Sequence, residues 1–497
     1  MATSPLDLNL GIDFGTQFTK VCVRDTALER SWVVTFTNGR PSLNEALIST
    51  KLGICSDGTL LAGLTQSEWQ GRTEPISVVI DYIKMRLANI DLLEEGNQYP
   101  SDLLPNFNGS DLNSPENLEN LCAYYLSSVI LKAKQWVLQN NADLVKNQNI
   151  NWSANIGVPV KYVDSLAIER FKQVLCLAWR LSESEINEPL PQSFKELQER
   201  MRQLRQNISY SQISCFAIPE IAAGVYSYTV SRQAQPGLYI FFDIGSGTIE
   251  GASFRFWREN EMPRVDFYSG EVEPLGVNAL AKWVNSQVSG SKLQVEHDIT
   301  NSSQKILQEI QLLSESIANS SCIIQGDFIA NKFKVTERAI KKKLQSNIPP
   351  QTEKLLHLIL GQSSIHGQVA KVIMTSKEKN REDLQKASSL IIFLGGGGRE
   401  SQYYEDTIQS TYSACNHQYA DVPPYQVEEL PFPQGSFDMS GIERRYFHRF
   451  AVAYGLSIPE AEAPEVSLPS RFPPKPPQPF QPVTPEIGRY PDDHSSM

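Results

Sequence analysis

Residues 241–256 read "FFDIGSGTIEGASFRF". An apolar run reaches Asp243, gives way to the small residues Gly245, Ser246, Gly247 and Thr248, then resumes with Ala252, Phe254 and Phe256 at alternate positions. Alternation of this kind marks a strand, so the stretch predicts a β-hairpin with a carboxylate beside its tip. Residues 10–25, "LGIDFGTQFTKVCVRD", repeat the plan. Asp13, Gly15 and Thr16 stand where the second copy has Asp243, Gly245 and Ser246, and Val21 and Val23 alternate behind them. Copies about 230 residues apart imply two related lobes rather than a short-period solenoid.

A glycine-rich turn after a strand has several uses. The phosphate loop G-x-x-x-x-G-K-[ST] is absent from both copies. "GSGTIEG" lacks the spacing of the dinucleotide fingerprint and leads into a strand, not a helix. What remains is a hairpin tip whose glycines let backbone N–H groups approach an anion, with Thr16 and Thr248 as further donors. Asp13 and Asp243 would repel phosphate unless a cation lay between; Mg²⁺ takes oxygen ligands, keeps most of its waters and suits that place. The alternative for each copy is a structural hairpin whose aspartate closes the turn. A matched pair favours phosphate.

A third cluster, "SLIIFLGGGGRESQYY" at 389–404, ends a buried-type strand in Gly395, Gly396, Gly397, Gly398 and Arg399. Such a backbone can lie flat against a planar ring, and a guanidinium can stack on one. A plain strand-to-helix turn is the alternative.

The rest of the chain bounds the choice. At 497 residues it exceeds one core. A net charge of −11 argues against a general nucleic-acid binder, and the short basic stretch "RAIKKKLQ" at 338–345 reads as a solvated helix face. Seven isolated cysteines without a C-x-x-C pair point to reduced thiols and a cytoplasmic protein. No signal-peptide pattern opens the sequence, and no apolar run approaches the ~18–20 residues of a membrane span. Six scattered histidines form no H-E-x-x-H or other metal-ligand spacing. Helical patterns at 119–139, at 163–181 and within 280–390, mixed with strands, predict an α/β protein, with a polar loop at 89–118. From Pro459 the composition turns proline-dense, which predicts a disordered tail: a passive extension, or a ligand for a proline-reading partner.

The order of these motifs resembles that of the actin, sugar kinase and heat-shock ATPase superfamily. Within it, the chain is most similar to the nucleotide-binding domain of the seventy-kilodalton heat-shock (DnaK-type) family. "GIDFGTQFTKVCV" and "FFDIGSGTIEGASF" resemble the two phosphate motifs, "FLGGGGRES" the adenosine motif, and "AVAYGLS" at 451–457 the closing connecting helix. "ANIGVPVKYVDSLAIERF" is similar to the family's strand, Val-Pro and long helix, and "IDYIKMRL" to the segment that delivers a lysine, here Lys84. The resemblance spans about 1–458 and implies a two-lobed actin-like ATPase fold of duplicated ribonuclease H-like lobes. Lobe I would occupy 1–215 with a loop insertion at 89–118. Lobe II would occupy 216–458 with a helical subdomain at about 280–385 and an insertion at 400–447. The proline-rich tail, 459–497, would follow.

Carried over to these positions, the resemblance implies that Asp13 and Asp243 hold hydrated Mg²⁺. Gly15, Thr16, Gln17, Gly245, Ser246, Gly247 and Thr248 would line the phosphates of ATP, and Gly395, Gly396, Gly397 and Arg399 would hold adenosine. Lys84, Asp13, Asp243, Thr248 and Glu220 form the implied catalytic set for attack of water on the terminal phosphate. The chain departs from the family in "IPEIAAG", where Pro219-Glu220 reverses the usual order. "KILQEIQLLS" lacks the adenosine-site lysine at the family spacing, and "VNAL" replaces the acidic residues after "EPLG". The proline-rich tail stands where the chaperones carry a peptide-binding sandwich and lid. The implied function is a slowly hydrolysing, Mg-dependent ATPase that switches conformation for an unidentified protein partner, without membrane or direct nucleic-acid contact. A filament-forming actin-like ATPase, a non-hydrolysing nucleotide-binding scaffold and a small-molecule kinase are the alternatives.

Overall fold

The structure is a computed structural model and describes residues 5–36, 41–90, 103–163, 165–184, 189–278, 362–415, 421–433, 435 and 437–474. Most of the expected helical subdomain, part of the 89–118 loop and the tail beyond 474 lie outside the described residues. What is described is a mixed α/β protein with two seven-stranded sheets and a three-stranded one.

The first sheet is built from β1 (Leu6–Phe14), β2 (Phe18–Asp25), β3 (Arg30–Val33), β8 (Ile150–Val158), β9 (Cys215–Pro219) and β16 (Phe437–Asp438), in the order β16-β3-β2-β1-β8-β9, with β4 (Ile48–Ser49) beside β2. Strands β1, β2 and β3 are antiparallel neighbours, whereas β1, β8 and β9 run parallel. The second sheet holds β10 (Gly237–Ile244), β11 (Ile249–Glu259), β12 (Met262–Phe267), β14 (Leu390–Gly395), β15 (Tyr425–Glu428) and β17 (Glu465–Ser467). Its order is β15-β14-β10-β11-β12-β17, with β13 (Glu271–Glu273) beside β11. Here β10, β11 and β12 are antiparallel, and β10, β14 and β15 parallel. The run β12-β11-β10-β14-β15 therefore repeats β3-β2-β1-β8-β9 in order and direction. The echo between two stretches of sequence is an echo of topology.

Parallel neighbours need crossovers, and helices supply them. In chain order the described helices are α1 (Gln66–Gln70), α2 (Ile83–Ala88), α3 (Pro115–Asn140), α4 (Ala142–Val145), α5 (Leu166–Ser184), α6 (Phe194–Asn207) and α7 (Glu220–Thr229). After them come α8 (Gln362–Lys379), α9 (Arg381–Lys386), α10 (Gln402–Ala414) and α11 (Ala451–Ser457). Helix α3 starts where Ser114 accepts the Asn117 N–H, with Pro115 in the first turn, where its missing N–H costs nothing. Leu8, Leu10 and Ile12 of β1 meet Tyr125, Val129 and Phe171 of α3 and α5 in one core. Ile240, Phe242 and Ile244 of β10 meet Val372 and Ile408 of α8 and α10 in another. The small sheet, β5 (Leu52–Cys55), β6 (Leu60–Leu61) and β7 (Ile76–Ile80), carries the chain into α2.

A third core lies between the two large sheets. Tyr239, Phe241, Phe254 and Phe256 from the second sheet pack with Ile221, Val225 and Tyr226 of α7, Ala453 and Tyr454 of α11, and Cys22 and Val33 of the first sheet. Strand β10 is thus covered on both faces, which is why it reads as the near-continuous apolar run "LYIFF". Helices α7 and α11 cross so closely that a Cβ on Gly455 would overlap the Ala223 carbonyl. The terminal carbonyls of α11 are taken by buried amides: Asn9 Nδ2 donates to Ser457 O at 2.9 Å and Asn155 Nδ2 to Leu456 O at 2.8 Å.

Two expectations change. The chain does not leave the fold at Pro459: β17 pairs in parallel with β12, Arg264 bridges to Glu465 at 2.6 Å, and Phe472 packs edge-on to Tyr268. Proline density concealed one short alternating segment, "EVS", that completes a sheet edge. The 400–447 stretch is likewise more than a surface insertion, since it supplies α10 and β15 to the second sheet and β16 to the first. Among the described residues, no helix is long and apolar enough to cross a membrane.

Candidate functional site

At the first tip Gly15 N–H folds back onto Asp13 O, two residues earlier, at 3.0 Å, and at the second Gly245 N–H closes the turn on Thr248 O at 2.9 Å. The second tip is also strapped from outside. The amides of Gly276, Val277 and Asn278 donate to the carbonyls of Gly247, Gly245 and Ser246 at 3.3, 3.1 and 2.8 Å. In a trans peptide the following N–H points opposite the carbonyl. The strap therefore turns the N–H groups of Ser246, Gly247 and Thr248 to the other side, making a row of three consecutive donors.

The tips converge. A Cβ placed on Gly247 would stand 2.6 Å from Thr16 Cγ2, and Asn278 Nδ2 donates to Gln17 Oε1 at 3.1 Å. Between the hairpins lies a cavity of about 100 Å³, lined by Asp13, Gly15, Thr16 and Gln17 from one and by Asp243, Gly245, Ser246 and Thr248 from the other. Lys84, Glu220, Gly396 and Gly397 border the same space. That volume can take a phosphate-sized anion and a few waters.

Three expected residues do not line the cavity: Gly247, which abuts Thr16 at the tip, Gly395 and Arg399. Gly395 packs beneath Phe241, whose ring would lie 2.7 Å from a Cβ there. Arg399 ends on a 3₁₀ turn (Gly397–Glu400) that carries it outward, to Glu429 at 2.9 Å and a different cavity. The turn begins at Gly396, which has φ +76° and donates its N–H to His448 O at 3.1 Å. Arg449 faces the cavity instead, close against Gly397.

Sequence reasoning missed Lys20 and Glu250 as well as Arg449. Both were findable: Lys20 lies directly across β1–β2 from Asp13, and Glu250 directly across β10–β11 from Asp243. Each follows its aspartate by seven residues, the count fixed by the length of the tip. Lys20 forms an ion pair with Asp13. Glu250 instead accepts the Val160 N–H at 2.5 Å and so ties the second hairpin to the chain just beyond β8.

Lys84 and Glu220 form a buried ion pair at 2.5 Å, each about 5% exposed or less. Burial alone would lower the Lys84 pKa, but the carboxylates of Glu220, Asp13 and Glu250 outweigh it and hold the lysine charged. Burial pushes the Glu250 carboxyl well up, reinforced by Glu220. Asp243 is pushed up to about 7 by burial, with Lys20 opposing and Asp13 adding to the shift. Its Oδ1 is buried without a hydrogen-bond partner, as is Ser246 Oγ.

Four acidic side chains (Asp13, Glu220, Asp243, Glu250) share the space with Lys20, Lys84 and Arg449. Lys20 and Lys84 are taken by Asp13 and Glu220, which leaves Asp243 and Glu250, both raised by burial, without a cationic partner of their own. An orphaned carboxylate oxygen in a buried space, on a group whose ionised form has no cationic partner, fits a divalent cation. Among the described residues, no group of three or more His, Cys, Asp or Glu side chains is arranged to hold a metal. A cation there would draw most of its shell from water and a ligand, as Mg²⁺ does with nucleotides. No family model and no curated protein matches the chain.

Proposed function

We propose that this chain is an Mg-dependent ATP-binding protein that hydrolyses slowly and acts as a conformational switch for a protein partner. In this reading the two sheets are the lobes of an actin-like fold and the cavity is the base of the nucleotide cleft. One observation carries it: two acidic, glycine-tipped hairpins from topologically repeated sheets meet at a single cavity. A structural hairpin would need neither the meeting nor the unpartnered Asp243 oxygen inside it.

The amides of Ser246, Gly247 and Thr248, with the Thr16 and Thr248 hydroxyls, would hold phosphate oxygens. Asp13 and Asp243 would hold the hydrated Mg²⁺, which would supply neutralisation of phosphate charge. Lys84, fixed by Glu220, would stabilise charge building on the terminal phosphoryl group, and Glu220 would orient a water. Adenosine would lie outward past Gly396 and Gly397, with Arg449 rather than Arg399 beside it. Phosphate release from purified protein tests hydrolysis. Mg-dependent release that Lys84→Met reduces at least ~100-fold is the expected result; release that Lys84→Met leaves unchanged refutes the assigned role.

The Lys84–Glu220 pair favours a second reading, binding without turnover, because a lysine already neutralised has less charge to offer phosphate. Mg-dependent nucleotide binding without phosphate release would select it.

A further inference from the structure

A second cavity, of about 530 Å³, lies away from the hairpins where β16 joins the edge of the first sheet. Its apolar lining is Phe432, Phe437, Met439 and Ile442, and its cationic lining is Arg30 and Arg444. Both arginines are exposed and held over rings, Arg30 at 4.9 Å from the Trp32 centroid and Arg444 at 4.8 Å from Phe432. Neither has a carboxylate partner among the described residues, in a chain carrying eleven excess negative charges. Asp438, the acid on the lining, is already engaged by the Ser440 N–H at 2.8 Å.

The shape of the wall narrows the ligand. Strand β16 is the outermost strand of its sheet, and both its residues, Phe437 and Asp438, line the cavity. An outermost strand presents main-chain groups that its one neighbour does not take. Phe437, Met439 and Ile442 are more than nine-tenths buried and form the floor, so Phe432 is the half-buried apolar side chain on the lining. A free phosphate or a lone carboxylate would use the arginines but neither the strand edge nor Phe432. An extended peptide uses all three: main chain along β16, acidic side chains on the planar guanidiniums, and an apolar side chain against Phe432.

We infer that this cavity is a docking site for an extended segment of a partner protein in which acidic and apolar residues alternate. The inference is independent of the nucleotide reading, and its test contains no nucleotide. The probe is a fluorescein-labelled octapeptide of alternating glutamate and valine, followed by anisotropy; the control replaces each glutamate with lysine. The full chain is expected to bind the acidic peptide saturably and the lysine peptide at least tenfold more weakly. Arg30→Glu with Arg444→Glu should weaken the acidic peptide at least tenfold and strengthen the lysine peptide. Both positions are exposed, so the melting temperature should hold; if it drops, Arg30→Gln with Arg444→Gln is held to the same tenfold loss. Absent saturable binding of the acidic peptide, equal binding of the two peptides, or a charge-reversed protein that binds as the parent does would overturn the assignment.

Discussion

Asp13 faces Lys20 across one hairpin and Asp243 faces Glu250 across the other, so one cross-strand position holds a basic side chain in one copy and an acidic one in the other. Burial lifts Asp243 to about 7, with Lys20 opposing and Asp13 and Glu220 adding to the shift. Its folded pKa lies above the ~4 of an unfolded aspartate, so between about pH 4 and 7 the native chain binds the extra proton. Stability is therefore lost as pH rises through that window, by up to about 1.4 kcal/mol per pH unit from this group. Urea denaturation without nucleotide across pH 5–8 should show that Asp243→Asn reduces the fall. Parallel curves for the two proteins would contradict the burial of an unpaired carboxylate. The Lys84–Glu220 pair predicts a different signature. Lys84→Met leaves a buried carboxylate uncompensated and should cost about 3–5 kcal/mol. Adding Glu220→Gln should recover at least about 1 kcal/mol of it in a double-mutant cycle.

Helix α11 is short, yet it is pinned by Asn9 and Asn155 at its end and by Gly455 against α7. Gly455→Ala must push the two helices apart and should destabilise by about 3 kcal/mol or more. Gly367→Ala on α8, where a Cβ meets nothing within 4 Å, should stabilise by about 0.5–1 kcal/mol. Thermal melts of the pair separate close packing from helix propensity. At the other edge, a chain ended after Ile458 loses β17 and the Phe472 contact, and should melt several degrees lower than one ended after Pro474. Equal melting would mean that β17 adds nothing. These contrasts mark what the amino-acid sequence disclosed. The four hairpin strands were legible because alternation and a glycine tip are local signals, and apolar spacing located α3 and α5 but not their ends: 119–139 is 115–140 in the structure and 163–181 is 166–184. Lys20 and Glu250 were one count away. Arg449 was not legible, because its approach to Gly397 depends on a turn from one part of the chain meeting a strand end from another. The pairing of β16 with β3 joins residues some four hundred positions apart over only two residues, too short for any periodicity.

The described residues repeat one five-strand topology and set α7 and α11 between the copies, so the two sheets share a core of small and aromatic side chains. On the proposed reading, ligand held by both hairpin tips would fix one sheet against the other, and its loss would free them to turn about α7 and α11. That account stands on the hairpins gripping a metal–triphosphate together, and titration with the fluorescent analogue mant-ATP tests it most directly. The expected result is a saturable signal that requires Mg²⁺ and is lost in both Asp13→Asn and Asp243→Asn, with circular dichroism unchanged. A wild-type protein without Mg-dependent signal, or variants that keep it, would contradict the account.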